Sequence, residues 1–421
     1  MDDAGELSPA DVRVEVAAFL AEHWDPERPL TEWRRILARS GWGCPTWPRA
    51  FYGRGLTPDL AAVVAEEFRA AGAVGAAVGV GMSLAAPTLL AHGSEELNLR
   101  LLEPIVTGAQ TWCQLFSEPG NGSDLAGLTT HARRDGDEWV VNGQKVWNTG
   151  AHHAAYGLLV ARTDWDVPKH QGITAFALGM DQPGVEVRPL RQMNGHASFN
   201  EVFLTDARVP ADFVIGDVHE GWAVAKTTLA HERSLATGFG SIPGEARGRT
   251  ATEARAEAAA YLKTYEWYPQ RAGRPDLTAA RAAATGRGDD RLVRQGLARL
   301  VSIQRTAQWT AQRARAARAL GRPPGPEGSL AKLNTSRIAR ESAALHTEIA
   351  GAAAMLSGAD GPEDGVIAEV LVSVPAQSIA GGTDEIQRNI VAERVLGLPK
   401  DPSVDADVAF RDVRTNPRFE S

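Results

Sequence analysis

Cysteine is nearly absent from these 421 residues: there are two, Cys44 and Cys113, in dissimilar contexts. They supply neither a disulfide framework nor the ligand spacing of a structural metal site, so a reducing cytoplasm is the expected compartment. Positive charge is also in deficit. The 44 Lys and Arg stand against 52 Asp and Glu, a formal net charge of −8, which excludes the basic footprint of a nucleic-acid-binding chain. The 42 glycines follow no period, which excludes a collagen-like chain, and no repeat of solenoid length occurs. The opening MDDAGELSP is acidic and polar, unlike a signal or transit peptide. Long uncharged runs are missing except for Ala70 to Ala91. That run is dominated by alanine and glycine and carries Pro87. Small residues give little transfer energy, so a buried, tightly packed helical region is expected there instead of a membrane span.

What is present changes texture twice. Up to about residue 110, apolar residues recur at helical spacing, as in Val12, Val16, Phe19 and Leu20, with Pro9 just ahead. From about 112 to 216 short alternating runs predict strands. Asp135-Gly136, Asn142-Gly143 and Pro183-Gly184 are the expected turns, the first two of hairpin type. From about 219 onward long helical patterns return, the last closed by Gly397 and Pro399. Residues 271–290, low in bulky side chains, read as a loop. The expected domains are an N-terminal helical domain (1–111), a middle β domain (112–217), a C-terminal helical bundle (218–400) and a polar tail (401–421).

The densest chemistry lies in 117–150, SEPGNGSDLAGLTTHARRDGDEWVVNGQKVWNTG. Its opening, Ser117 to Asp124, is a loop rich in glycine and hydroxyls. Such a loop either brings backbone N–H groups close to a polar or anionic ligand or is an ordinary turn between strands, and its composition leaves both open. The whole stretch resembles the signature of the acyl-CoA dehydrogenase family, in which a TEPGxGSD-like loop precedes an NGxKxWITN-like strand. HGSEELNLRLLEPIVTGAQTW before it and AGGTDEIQRNIVAERVLGLPK near the end are similar to the family in order and spacing.

The resemblance implies an α+β multidomain fold: an N-terminal α-helical domain, a middle barrel-like or sandwich β domain and a C-terminal four-helix bundle. It implies FAD as cofactor and an acyl-CoA as substrate, with electron-transfer flavoprotein as electron acceptor. Flavin contacts are implied for Gln114, Leu115, Phe116, Ser117, Gly122 and Ser123, with Trp147 and Thr149 flanking the ring. Ser123 is implied to touch the thioester as well. The turn at Gly382-Thr383 is also implied to face the flavin, with Glu385 in place of a frequent glutamine.

The implied reaction removes a proton α to the thioester carbonyl by a base while the flavin takes hydride from the β carbon. A glutamate beside apolar groups suits the base, because desolvation raises its pKa. Many family members carry it just before the Gly-Thr pair. Here that residue is Gly381, so the usual base is absent. A smaller set, including dehydrogenases of branched and long acyl chains, carries it on the first helix of the C-terminal bundle, directly before an arginine. Glu232-Arg233 occupies that place. Trp222, Ala225, Leu229, Glu232 and Ala236 are spaced 3-4-3-4, which puts Glu232 on the expected buried stripe. Arg233 is implied to serve the thioester or pantetheine region. A bundle salt bridge is the plainer reading of both residues.

Two family features are missing. No Arg-x-x-Phe-Gly motif opens the second bundle helix, and the usual Gln-x-x-Gly-Gly turn appears as Glu348-Ile349-Ala350-Gly351-Ala352. Such departures resemble members that work as heterotetramers of two related chains, some acting on sterol side chains. Alternatively, the arginine-containing 271–291 loop supplies other donors, and a homotetramer stands open. A non-catalytic partner subunit, or a flavin monooxygenase or oxidase on the same fold, are the competing functions.

Overall fold

A computed structural model describes residues 7–234, 246–320, 322, 325–400, 402 and 405–413. Ser8 opens the first helix, α1 (Pro9–His23), with a capping box: its hydroxyl accepts from the Asp11 amide, and the Asp11 carboxylate accepts from the Ser8 amide. There follow α2 (Leu30–Ser40), α3 (Pro58–Ala70), α4 (Ala86–His92) and α5 (Glu95–Thr107). Val12 and Val16 pack with Trp33, Leu37 and Phe68 in one core. The predicted helical register of α1 is therefore the packed one.

Residues 70–91 differ from expectation in their first half. Beyond Ala70 there is no helix until a π-helical turn at Gly81–Ala85, which runs into α4. Gly72 and Gly79 sit at φ +66° and +122°, conformations that end a right-handed helix and cost only glycine little.

Eight strands form one sheet: β1 (Trp112–Leu115), β2 (His131–Asp135), β3 (Glu138–Lys145), β4 (Tyr156–Arg162), β5 (Ile173–Gly179), β6 (Val185–Leu190), β7 (Phe199–Pro210) and β8 (Val214–Ile215). Their order is β6-β7-β3-β2-β4-β5-β8, with β1 parallel to β4. The Asp135-Gly136 hairpin joins β2 to β3, and Pro183-Gly184 turns β5 into β6, as predicted. Asn142-Gly143 is not a turn. It is a bulge inside β3, where the register against β7 slips between Val141 and Gly143. The Asn142 amide exchanges two hydrogen bonds with Asp206 of β7. A Cβ at position 143 would stand 2.4 Å from the Thr130 hydroxyl, so glycine serves a close backbone approach here.

After the sheet come α6 (Gly221–Ser234), α7 (Gly248–Lys263), α8 (Tyr268–Arg271), α9 (Thr278–Ala284), α10 (Arg291–Ala319), α11 (Glu327–Ala350), α12 (Val366–Ile379) and α13 (Asp384–Arg394). The expected loop at 271–290 contains the end of α8, all of α9 and two 3-10 turns. It is ordered by a buried pair: Arg281 donates to His346 Nδ1 at 3.0 Å, and His346 Nε2 lies 3.0 Å from the Arg274 carbonyl.

Contacts divide the chain into two units. One comprises Met1–Leu190, Ser198–Thr264 and Val404–Ser421; the other comprises Arg191–Ala197 and Tyr265–Ser403. In the first, Leu101, Leu115, Leu159, Phe176, Val202 and Ala225 belong to one core that joins helices to the sheet. In the second, α11 packs against α10, α12 and α13. Among the described residues, Pro362–Arg394 is long and apolar enough to be compared with a membrane span. It is a 3-10 turn at Pro362–Gly365 followed by two helices, α12 and α13, parted at 380–383.

Candidate functional site

The Ser117–Asp124 loop leaves the end of β1, and its first residues are held by a buried ion pair. Glu118 and Lys145 are 5% and 0% exposed, with Lys145 Nζ 3.0 Å from Glu118 Oε1 and 3.0 Å from the Phe116 carbonyl. Glu118 also accepts from the amides of Thr129 and Thr130 at 2.7 Å and from the Thr129 hydroxyl at 2.9 Å. Burial alone would raise this carboxyl, but Lys145 and these donors outweigh it and hold it at about 2. Burial also pushes the Lys145 ammonium down. With so many donors on the carboxylate, the ionised pair is the state at neutral pH. Sequence reading missed this pair. A lysine closing a strand, just ahead of Val146 and Trp147, is its local signal.

Beyond Glu118 the loop opens. A Cβ added at Gly120 or Gly122 would meet nothing within 4 Å, and Ser123 is exposed. Ser117 and Gln114 are half-buried, whereas Leu115 and Phe116 are 0% and 4% exposed, with side chains in the core.

Trp147 follows β3 and projects from the surface. It is 55% exposed, it holds φ at +64°, and the Phe199 ring stands edge-on to it at 5.6 Å. A bulky residue in this backbone region is held by its surroundings. The hold is visible in Asn148, buried, which donates its amide to the Gln114 carbonyl at 2.8 Å and its N–H to the Asn200 carbonyl at 3.1 Å. Asn200 returns a bond to the Asn148 carbonyl at 2.8 Å. Asn148 Oδ1 is buried without a hydrogen-bond partner. An exposed indole, an open glycine loop and an unused buried acceptor together fit a planar, hydrogen-bonding ring system. Thr149 is half-buried beside them in sequence.

In the same unit, α6 carries Glu232. Thr228 meets Thr88 of α4 at 2.9 Å, and Thr227 meets His92 Nε2 at 2.8 Å. The buried stripe is Gly221, Val224, Ala225 and Thr228, with Trp222 and Leu229 only partly buried. Glu232 continues this register four residues after Thr228, but it is half-buried, not buried as expected. It lies in the last described turn of α6. Ala236 lies outside the described residues, as does the side chain of Arg233.

The second unit holds the Gly381-Gly382-Thr383 turn. Both glycines have positive φ, +68° and +81°, and Thr383 caps α13 by accepting from the Ile386 amide at 3.2 Å. Asp384 is 1% exposed and pairs with Lys332 and Arg340, each at 2.7 Å. Burial would raise this carboxyl, but those donors hold it at about 2. Gln387, fully buried, donates to the Gly381 carbonyl at 3.1 Å. Glu385, by contrast, is 74% exposed and pairs with Arg388. The four arginines weighed as alternative ligand donors are engaged within the unit. Arg271 donates to Gln377, Arg274 pairs with Asp276, Arg281 holds His346, and Arg287 pairs with Asp290.

Residues 10–109, 113–207 and 276–396 match the N-terminal, middle and C-terminal domains of acyl-CoA dehydrogenase, in that order. Acyl-CoA dehydrogenase IpdE1 of Mycobacterium tuberculosis is 36% identical over 378 residues, 88% of each chain. Acyl-CoA dehydrogenase FadE34 of the same organism is 37% identical over 394 residues, 93% of this chain, which spans about half, 49%, of that longer protein. Among solved structures, the Tcur3481-Tcur3483 steroid ACAD superposes with a TM-score of 0.64 at 25% identity, over 95% of this chain and 100% of that one. With three domain matches in sequence and relatives aligned along nearly the whole length, the chain belongs to the acyl-CoA dehydrogenase family.

Proposed function

We propose that the chain binds FAD and catalyses the 2,3-dehydrogenation of an acyl-CoA thioester, with Glu232 as the general base. Trp147 is the observation that carries this reading: a large aromatic side chain is kept at the surface in an unfavourable backbone conformation, beside an open loop pinned by Glu118 and Lys145. The backbone from Gln114 to Ser123, with Ser117, Trp147 and Thr149, would hold the flavin. Two-electron oxidation is what a bound flavin supplies. Glu232, half-buried on an anchored helix, would take the α proton, and Arg233 and Ser123 would orient the thioester. Electron-transfer flavoprotein is the proposed acceptor. The purified chain, alone or with a related partner chain, should show a flavin spectrum that bleaches with acyl-CoA in the absence of oxygen. A protein that stays colourless after reconstitution with FAD and every related chain tried would sink the reading.

A heteromeric assembly is favoured by α10. No Asp, Glu or Lys occurs from Arg291 to Pro326. Arg294, Val301, Arg305, Trp309 and Arg313 share the outer face of that helix, opposite the buried Val293, Leu300 and Ile303. Trp309 is 62% exposed. Arginine and tryptophan without lysine or acids is the composition of a protein interface, and the face packed on its own copy would set arginine against arginine. The missing Arg-x-x-Phe-Gly motif likewise leaves the flavin diphosphate short of donors. Expressed alone, the chain should hold FAD substoichiometrically; co-expressed with a related chain that has the Arg-x-x-Phe-Gly motif, it should form a tetramer with one FAD per pair. Full occupancy in a homo-oligomer, by absorbance and light scattering, would refute this.

A further inference from the structure

Residues 405–413 lie against the connection between β4 and β5 and against Arg162 at the end of β4. The amides of Phe410 and Arg411 donate to the carbonyls of Val167 and Trp165 at 2.9 and 3.0 Å. The Phe410 ring is 4% exposed, 5.3 Å from the Trp165 ring and 3.7 Å from the guanidinium carbon of Arg162. Arg162 is fully buried, and all three of its nitrogens donate to main-chain carbonyls: Ala126 at 2.6 Å, Lys169 at 2.8 Å and Leu128 at 3.4 Å. Ala126 and Leu128 directly follow the Ser117–Asp124 loop. A second connection runs through Lys169, which donates to both carboxylate oxygens of Asp124 at 3.1 Å and pairs with Asp405 at 2.9 Å.

The loop therefore has two anchors of different origin. Its start is held by Glu118 and Lys145, inside the family signature. Its end, Asp124 to Leu128, is held by Arg162 and Lys169, and both of these are gripped by the C-terminal segment. We infer that residues 405–413 form a positioning strap for the ligand loop, with Phe410 acting through Arg162 and Asp405 acting through Lys169. A buried guanidinium that loses its aromatic face admits water and loosens its carbonyl bonds, and the exposed glycines of the loop supply no contacts to compensate.

The consequence for catalysis rests on the flavin and thioester reading of this loop; the structural part does not. Hydrogen exchange on the full-length chain without ligand tests the latter. In Phe410→Ala, amides in 117–128 should exchange about tenfold faster or more, as expected for loss of local protection, while those of α10 and α11 stay unchanged. Phe410→Tyr, which keeps the ring, should restore protection. Asp405→Asn, a milder change at a partly exposed position, should raise exchange near Asp124 and keeps the test decisive if the alanine variant does not fold. In loaded protein, the dissociation constant for FAD and the KM for acyl-CoA should each rise about tenfold with kcat little changed. Unchanged exchange in 117–128, or an equal rise throughout the chain, would overturn the strap. A wild-type protein that never binds FAD would sink only the functional reading, because exchange is measured without it.

Discussion

Glu232→Gln is expected to leave FAD bound and to slow reduction of the flavin by acyl-CoA on the order of 10²-fold or more, the loss that follows removal of a positioned general base. The amide keeps the shape of the carboxylate and loses its basicity. The helix should not move, because α6 is tied to α4 through Thr228 and Thr88 and through Thr227 and His92. Anaerobic stopped-flow absorbance gives the rate directly. Activity within a few-fold of wild type would place the base elsewhere. The wild-type protein separates the competing functions: a non-catalytic subunit would show no anaerobic reduction, and a flavin oxidase or monooxygenase, once reduced and then mixed with oxygen, would consume it whether or not residue 232 is acidic.

Glu118→Gln should cost about 3–5 kcal/mol of stability, the usual penalty for leaving one member of a buried ion pair uncompensated. Lys145, fully buried, would keep only the Phe116 carbonyl and a neutral amide. The double variant Glu118→Gln/Lys145→Met should recover part of the loss, because neither position then buries an unpaired charge. Acidity supplies an independent reading. Glu118 lies at about 2 against an ordinary 4.5, so its ionised form is favoured by the fold. The stability it contributes is present above about pH 4.5 and is lost as pH falls through about 2. Wild-type protein should therefore lose stability across that window, and Glu118→Gln should flatten the slope there. A denaturation midpoint within 1 °C of wild type, with the same acid profile, would mean that the pair does not hold the loop.

Much of this molecule could be read from neighbours in the chain. Helical spacing in α1, the Asp135-Gly136 hairpin, the order of helices, strands and helices, and the loop-then-strand signature all depend on residues within a few positions of one another. The side of α6 on which Glu232 falls is likewise a matter of local register. Tertiary structure decided the rest, for two physical reasons. Where local chemistry is ambiguous, packing chooses: Asn142-Gly143 serves a bulge because Thr130 and Asp206 lie against it. Likewise α12, which contains Pro375 and many β-branched residues, is held as a helix because Ile367, Val370 and Val374 are buried along one side of it. Where partners are distant, no local pattern exists at all. Glu118 finds Lys145 across a sheet, His346 finds Arg281 between helices, and Phe410 reaches Arg162 from the opposite end of the chain. Sequence alone determined the family, the element order and the candidate base; the fold determined which side chains hold the ligand loop in place, because burial gives charged groups their partners only once distant segments meet.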